Sequence, residues 1–159
     1  MKSKKSQYSI DDVYSILNDM SESSQTPSRL RLIAGALARL VWPLMDARSQ
    51  RAVEVAEQFA KGKATRQQFL LGLEMADTVV REREAVSFER ELTDEEEALE
   101  HAAWAAWGLL QTKTPWKPLS VVLRAVASAM LSQGKTQPET YGAICRVLRE
   151  SLALPVACC

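Results

Sequence analysis

The chain has 159 residues, 47% hydrophobic and 25% charged, the composition of a globular protein able to bury one core of its own. Twenty Lys/Arg balance twenty Asp/Glu, which excludes a large, uniformly basic phosphate-binding surface. Three cysteines, two of them adjacent, exclude a disulfide framework and any metal-ligand spacing built on thiols.

Glycine and proline number six each, Ala and Leu are abundant and β-branched runs are few, so the chain is expected to be all-α: one domain of six to seven mostly antiparallel helices. Charge is unevenly placed. Residues 1–66 carry eleven Lys/Arg against seven Asp/Glu, residues 67–100 three against eleven, and residues 101–159 six against two. This arrangement favours pairing within the fold or between copies. No apolar stretch is long enough to span a bilayer, and the Lys-rich start leads into an amphipathic segment, so a reducing, cytoplasmic setting without membrane contact is expected.

Residues 1–8 read as a flexible basic tail, 9–155 as the helical domain and 156–159 as a second tail. Ser9 and Asp12 make an N-cap signature for a short amphipathic helix through Ile10, Val13, Ile16, Leu17 and Met20. After a polar connector, Thr26 and Pro27 open a helix whose broad apolar face, Leu30, Ile33, Ala34, Leu37, Leu40 and Val41, makes it the most buried of the set, with Arg29, Arg31 and Arg39 at its margins. The small run Ala34, Gly35, Ala36 and Ala38 would admit a close neighbour, and Pro43 ends or kinks the helix.

The punctuation is most complete in residues 42–76, which predict a helical hairpin. Asp46 caps the first arm, Val53, Ala56, Phe59 and Ala60 form its stripe, and Gly62 stops it. Thr65 and Gln68 form a capping box for the second arm, whose face is Phe69, Leu70, Leu73 and Ala76. That arm continues through Val79 and Val80 toward Val86 and Phe88, where the pattern thins and charge dominates, so either a long solvated helix end or a surface connector with a break near Ser87 is expected. Thr93 and Glu96 restart a helix, with Asp94 to Glu97 favouring its positive end. Residues 112–118, TKTPWKP, read as a break. Helix resumes from Val121, stops at Gly134, and restarts at the Thr136/Glu139 box to run to Pro155.

No catalytic constellation is recognisable, and no cofactor or metal is expected. His101 is the single histidine and shares a helix face with Glu97, but two residues on one helix do not complete a metal site, so it reads as a half-exposed histidine among carboxylates. Cys145 sits in an apolar stripe and reads as core, while Cys158 and Cys159 read as an exposed, reactive end. Trp104 and Trp107, at helical spacing, with Trp116 on the following connector, either pack a helix pair or line a groove for a peptide or an apolar ligand. Arg29, Arg31, Arg39, Arg48 and Arg51 either form a basic patch or pair with the acids of residues 82–100, pairing being the more economical.

Residues 28–69 carry Asp46, Arg48, Ser49, Ala52, Val53, Glu54, Val55, Ala56, Glu57, Phe59, Ala60, Gly62, Ala64 and Thr65 in a pattern that resembles a helical segment common in uncharacterised planctomycete bacterial proteins. In those proteins an Asp-x-Arg-Ser-x-x-Ala-Val-Glu-Val-Ala-Glu core is followed by a Gly-containing turn with Ala-Thr. The resemblance spans about a quarter of the chain and implies a bacterial source but no established activity. The relatives often have a cysteine-rich run where this chain has Ala34 to Ala38, so no metal or redox role transfers.

Three readings follow. The sequence favours a non-enzymatic helical interaction module, an adaptor, regulatory or small structural subunit, with a protein partner or self-association and with Trp104, Trp107, Trp116, Arg29, Arg31, Arg48 and Arg51 as the surface. The alternatives are a small nucleic-acid-binding subunit using the basic N-terminal third, and a sensor or enzyme with a small-molecule pocket near Trp104 and Trp107.

Overall fold

The computed structural model describes residues 7–153; the N-terminal lysines and residues 154–159, including Pro155, Cys158 and Cys159, lie outside the described residues. Seven α-helices follow in order: α1 Ile10–Glu22, α2 Pro27–Ala38, α3 Ala47–Ala60, α4 Arg66–Glu89, α5 Asp94–Gly108, α6 Lys117–Ser132 and α7 Gln137–Ala153. A 3-10 segment, Arg39–Leu44, joins α2 to α3, and no strand occurs among the described residues.

Local chemistry sets these boundaries. Thr65 Oγ1 accepts from the Gln68 N–H while Gln68 Oε1 accepts from the Thr65 N–H, and Thr93 with Glu96 and Thr136 with Glu139 repeat the exchange. Asp46 Oδ1 accepts from the Ser49 N–H at 2.9 Å. At Gly62 and Gly134 the backbone takes φ of 72° and 82°, where any side chain would be strained. The next N–H groups, of Lys63 and Lys135, then reach back to Gln58 O and Met130 O, closing α3 and α6.

Three boundaries sharpen or shift the expectation. Pro43 does more than end a helix. Its ring would clash with the carbonyl four residues earlier, and the chain leaves α geometry at Arg39 for a 3-10 turn kinked at Val41. Helix α6 begins at Lys117, a turn before the expected restart, because Pro118 falls in its first turn where no donor is missed. Helix α4 runs unbroken past Ser87 to Glu89.

One cluster of buried side chains links α1, α2, α3, α5, α6 and α7 with the first half of α4, and α2 lies at its centre against α3, α5, α6 and α7. As expected, Leu30, Ile33, Ala34, Leu37 and Ala38 on α2 are almost wholly buried. Helix α5 packs tightly on α6, where a Cβ on Gly108 would stand 2.6 Å from Val121 Cγ1. α1 packs chiefly on α7, and the packed chain starts before it. The Tyr8 ring lies on Gly142 and accepts a hydrogen bond from Arg149 at its hydroxyl, so Tyr8 belongs to the domain and not to a tail.

Candidate functional site

The arginines expected on one surface are dispersed by the fold. Arg31 is 9% exposed, inside the bundle. Its Nε donates to Leu109 O and its Nη2 to Gln111 O, each at 2.9 Å, and its guanidinium lies 5.0 Å from the Phe69 ring centre and 5.8 Å from that of Phe59. Burial pulls its pKa below the ordinary value. The carbonyls past the end of α5 and the two aromatic faces supply the negative potential that a carboxylate would otherwise provide. Arg31 is thus a staple between α2, the end of α5 and the α3–α4 hairpin, and not part of an interaction surface.

The others have partners at the surface. Arg29 donates to Leu152 O at the end of α7, Arg39 makes a two-point pair with Glu57 and lies over Trp42, and Arg51 reaches Glu54. Arg48 bridges Asp46 and Glu82, fastening the start of α3 to α4; the Glu82 hydrogen bonds, then those of Asp46, raise its pKa. Pairing with residues 82–100, the more economical expectation, is realised at Arg48.

The tryptophans are half-buried packing residues. Trp104 and Trp107 meet edge to face, with centres 5.0 Å apart and planes at 81°, against Val79, Val80 and Ala103 in the seam between α4 and α5. Trp116, at the cap of α6, packs on the main core, which Trp104 and Trp107 also touch. Two surface clefts stand out, and neither is lined by a tryptophan. One, of about 310 Å³, lies between the end of α4 and the start of α5, lined by Arg90, Glu91, Glu97, Glu100 and His101 among others. The other, of about 490 Å³, lies between α2, α3 and α7. His101 and Glu97 therefore share a cleft, as their spacing predicts, and one oxygen of Glu100, Oε2, is buried beside them without a hydrogen-bond partner. Among the described residues no three His, Cys, Asp or Glu side chains are grouped to hold a metal ion. Cys145 is fully buried, and burial pushes its thiol pKa up.

The feature that sequence reasoning underrated is the outer part of α4. At 24 residues the helix is about 36 Å long, whereas α3, antiparallel to it, has 14 residues and about 21 Å. The Arg48–Glu82 bridge marks where α3 begins beside it, and the last buried residues of α4 are Val79 and Val80. Past Glu82 the helix runs on beyond the start of α3, with α5 as its other main packing neighbour, and helix end, turn and helix start together form a spur. Residues 82–100 carry nine carboxylates against two arginines. At the tip Phe88 is 88% exposed, the most exposed large hydrophobic side chain among the described residues. Arg90 is neutralised by a two-point pair with Glu96 across the turn, which leaves the surrounding field strongly negative. The available signal was an aromatic residue isolated within a charged stretch.

No protein-family model, no curated protein and no solved structure matches the chain. Among the described residues no helix is long and apolar enough to cross a membrane.

Proposed function

We propose that the protein is a non-enzymatic helical interaction module of bacterial origin, an adaptor or small subunit of a larger assembly, and that it engages a basic partner through the α4–α5 spur. One observation carries this reading: a phenylalanine 88% exposed at the tip of an acidic projection. An aromatic side chain left in water contributes nothing to folding, but it offers an anchor that a partner's apolar pocket would desolvate, and the surrounding carboxylates would steer and orient a basic rim. The arrangement matches the division of interfaces into an apolar centre and a polar margin.

The nucleic-acid alternative draws less support, because the acidic projection repels phosphate and Arg39, Arg48 and Arg51 are already paired. A ligand pocket at Trp104 and Trp107 also draws less, since their rings fill the seam at the root of the spur.

The test is affinity capture of the tagged protein from its source organism, under reducing conditions and after nuclease treatment, with a salt series. A stoichiometric protein partner that survives nuclease and is released as salt rises is the expected result. An inert monomer at every salt concentration, or recovery of nucleic acid alone, would overturn the reading.

A further inference from the structure

The two ends of α4 are opposite in charge. The spur at its C-terminal end is acidic, whereas the α3–α4 turn at its N-terminal end reads Lys-Gly-Lys-Ala-Thr-Arg, three cations without an acid. Lys61, Lys63 and Arg66 are exposed, and among the described residues none of them has an ion-pair partner. Each end also carries an open apolar side chain, Leu70 beside the cations and Phe88 beside the acids. Their spacing is commensurate with the helix: the eighteen residues between them are five turns, so the two lie on one line along α4, about 27 Å apart. Asp77 and Arg81, paired at 2.7 Å, lie between them on that line, with Glu74 and Glu84 to either side. The line is open to solvent, because α4 turns its opposite side, through Gly72, Ala76 and Val79, toward its neighbours α3 and α5.

We propose that the basic partner of the spur is a second copy of this chain, its α4 lying antiparallel to the first across a two-fold axis at the level of Val79, an inference that rests on the spur being the interacting surface. The axis sets Phe88 of each copy on Leu70 of the other and brings each acidic spur to the other copy's Lys-Gly-Lys turn and Arg66. At the spacing of packed helices, about 9 Å, Arg81 also reaches Asp77 of the second copy. Parallel helices would instead set acid on acid and cation on cation. Because each patch meets its complement twice, the contact closes on itself and ends at a dimer. One match is unfavourable: Glu74 faces Glu84 of the second copy on both sides of the axis. That mismatch makes the register testable.

Sedimentation velocity on the full chain, across a concentration series at low and high salt, reads the association directly. A reversible dimer that loosens as salt rises is expected. A monomer at every concentration, or growth into longer assemblies, would overturn the proposal. Glu84→Lys should turn both like-charge contacts into attractive ones and tighten the dimer at least about fivefold. Any other basic partner would meet a less acidic spur and bind that variant more weakly, so the two outcomes separate. An unchanged or weaker dimer would overturn the antiparallel register. Lys63→Glu, at an exposed turn position, should loosen the dimer about fivefold, and an unchanged dimer would overturn the role of the basic turn. A chain that stays monomeric yet captures a different basic protein on the spur would overturn this inference and leave the spur reading standing, whereas a chain that binds neither would overturn both.

Discussion

Arg31 and Phe88 exchange the places that their side chains ordinarily take. The guanidinium is held among helices, on two carbonyls and two aromatic rings, while the phenyl ring stands in water at the end of a helix that has outrun α3. Each inversion is informative because each costs something alone: the charge loses hydration, and the ring gains no burial. In the first region the cost is offset inside the molecule, since every interaction that Arg31 makes is intramolecular. In the second no intramolecular contact offsets it, and the proposed function assigns the missing contact to a partner. The comparison separates a residue that holds the fold from one that the fold merely presents.

The sharpest way to break this comparison is by stability. Arg31→Ala should cost about 3 kcal/mol, because it leaves two carbonyls without donors, empties the space over Phe59 and Phe69 and removes a buried cation already satisfied by its surroundings. Chemical denaturation measures it, and a loss under about 1 kcal/mol would show that the staple is dispensable. Gly108→Ala comes next, at about 2 kcal/mol, since its new methyl would have to displace Val121 from 2.6 Å. A neutral result there would mean that α5 and α6 are not so tightly apposed.

Smaller effects belong to the spur. Thr93→Ala should cost about 1 kcal/mol by removing the cap of α5. The spur also carries a pH signature. The Arg90 guanidinium, and then the Thr93 N–H, hold the Glu96 carboxyl at about 2, below its ordinary value of 4.5. Because the folded value is the lower one, the stabilisation is complete above about 4.5 and fades as pH falls toward about 2. The stability difference between the native chain and Glu96→Gln should therefore shrink across that window and stay constant above it. A difference that grew on acidification would contradict the pairing. Phe88→Ala is the smallest in this series: unfolding should change by less than about 0.5 kcal/mol, and a loss above about 1 kcal/mol would mean that the ring is packed after all.

The parts of the fold that were legible rest on local chemistry. Asp46, Thr65 with Gln68, Thr93 with Glu96, and Thr136 with Glu139 act within three residues of themselves, and Gly62 and Gly134 close helices by their own backbone angles. Arg31 was not legible because its hydrogen-bond partners lie 78 and 80 residues away, and from helical spacing alone it belonged to the polar margin of α2. Phe88 was legible only in part, for a related reason. Spacing allowed α4 to end as a long solvated helix, but only the relative lengths of α3 and α4 show that α3 does not accompany that end. For the candidate surface, the pairing of Arg48 was anticipated in kind, and Trp104, Trp107 and Trp116 are all half-buried against the core, the packing alternative of the two that their spacing allowed.

The most direct test of the spur is a binding titration of the captured partner against the native chain and Phe88→Ala, on samples shown to unfold at the same denaturant concentration. An aromatic anchor at the centre of an interface is worth at least about 2 kcal/mol on truncation, so the predicted result is a weakening of about thirtyfold or more with folding untouched. Equal affinity of the two chains would contradict the assignment and send the search for the interface elsewhere on the bundle.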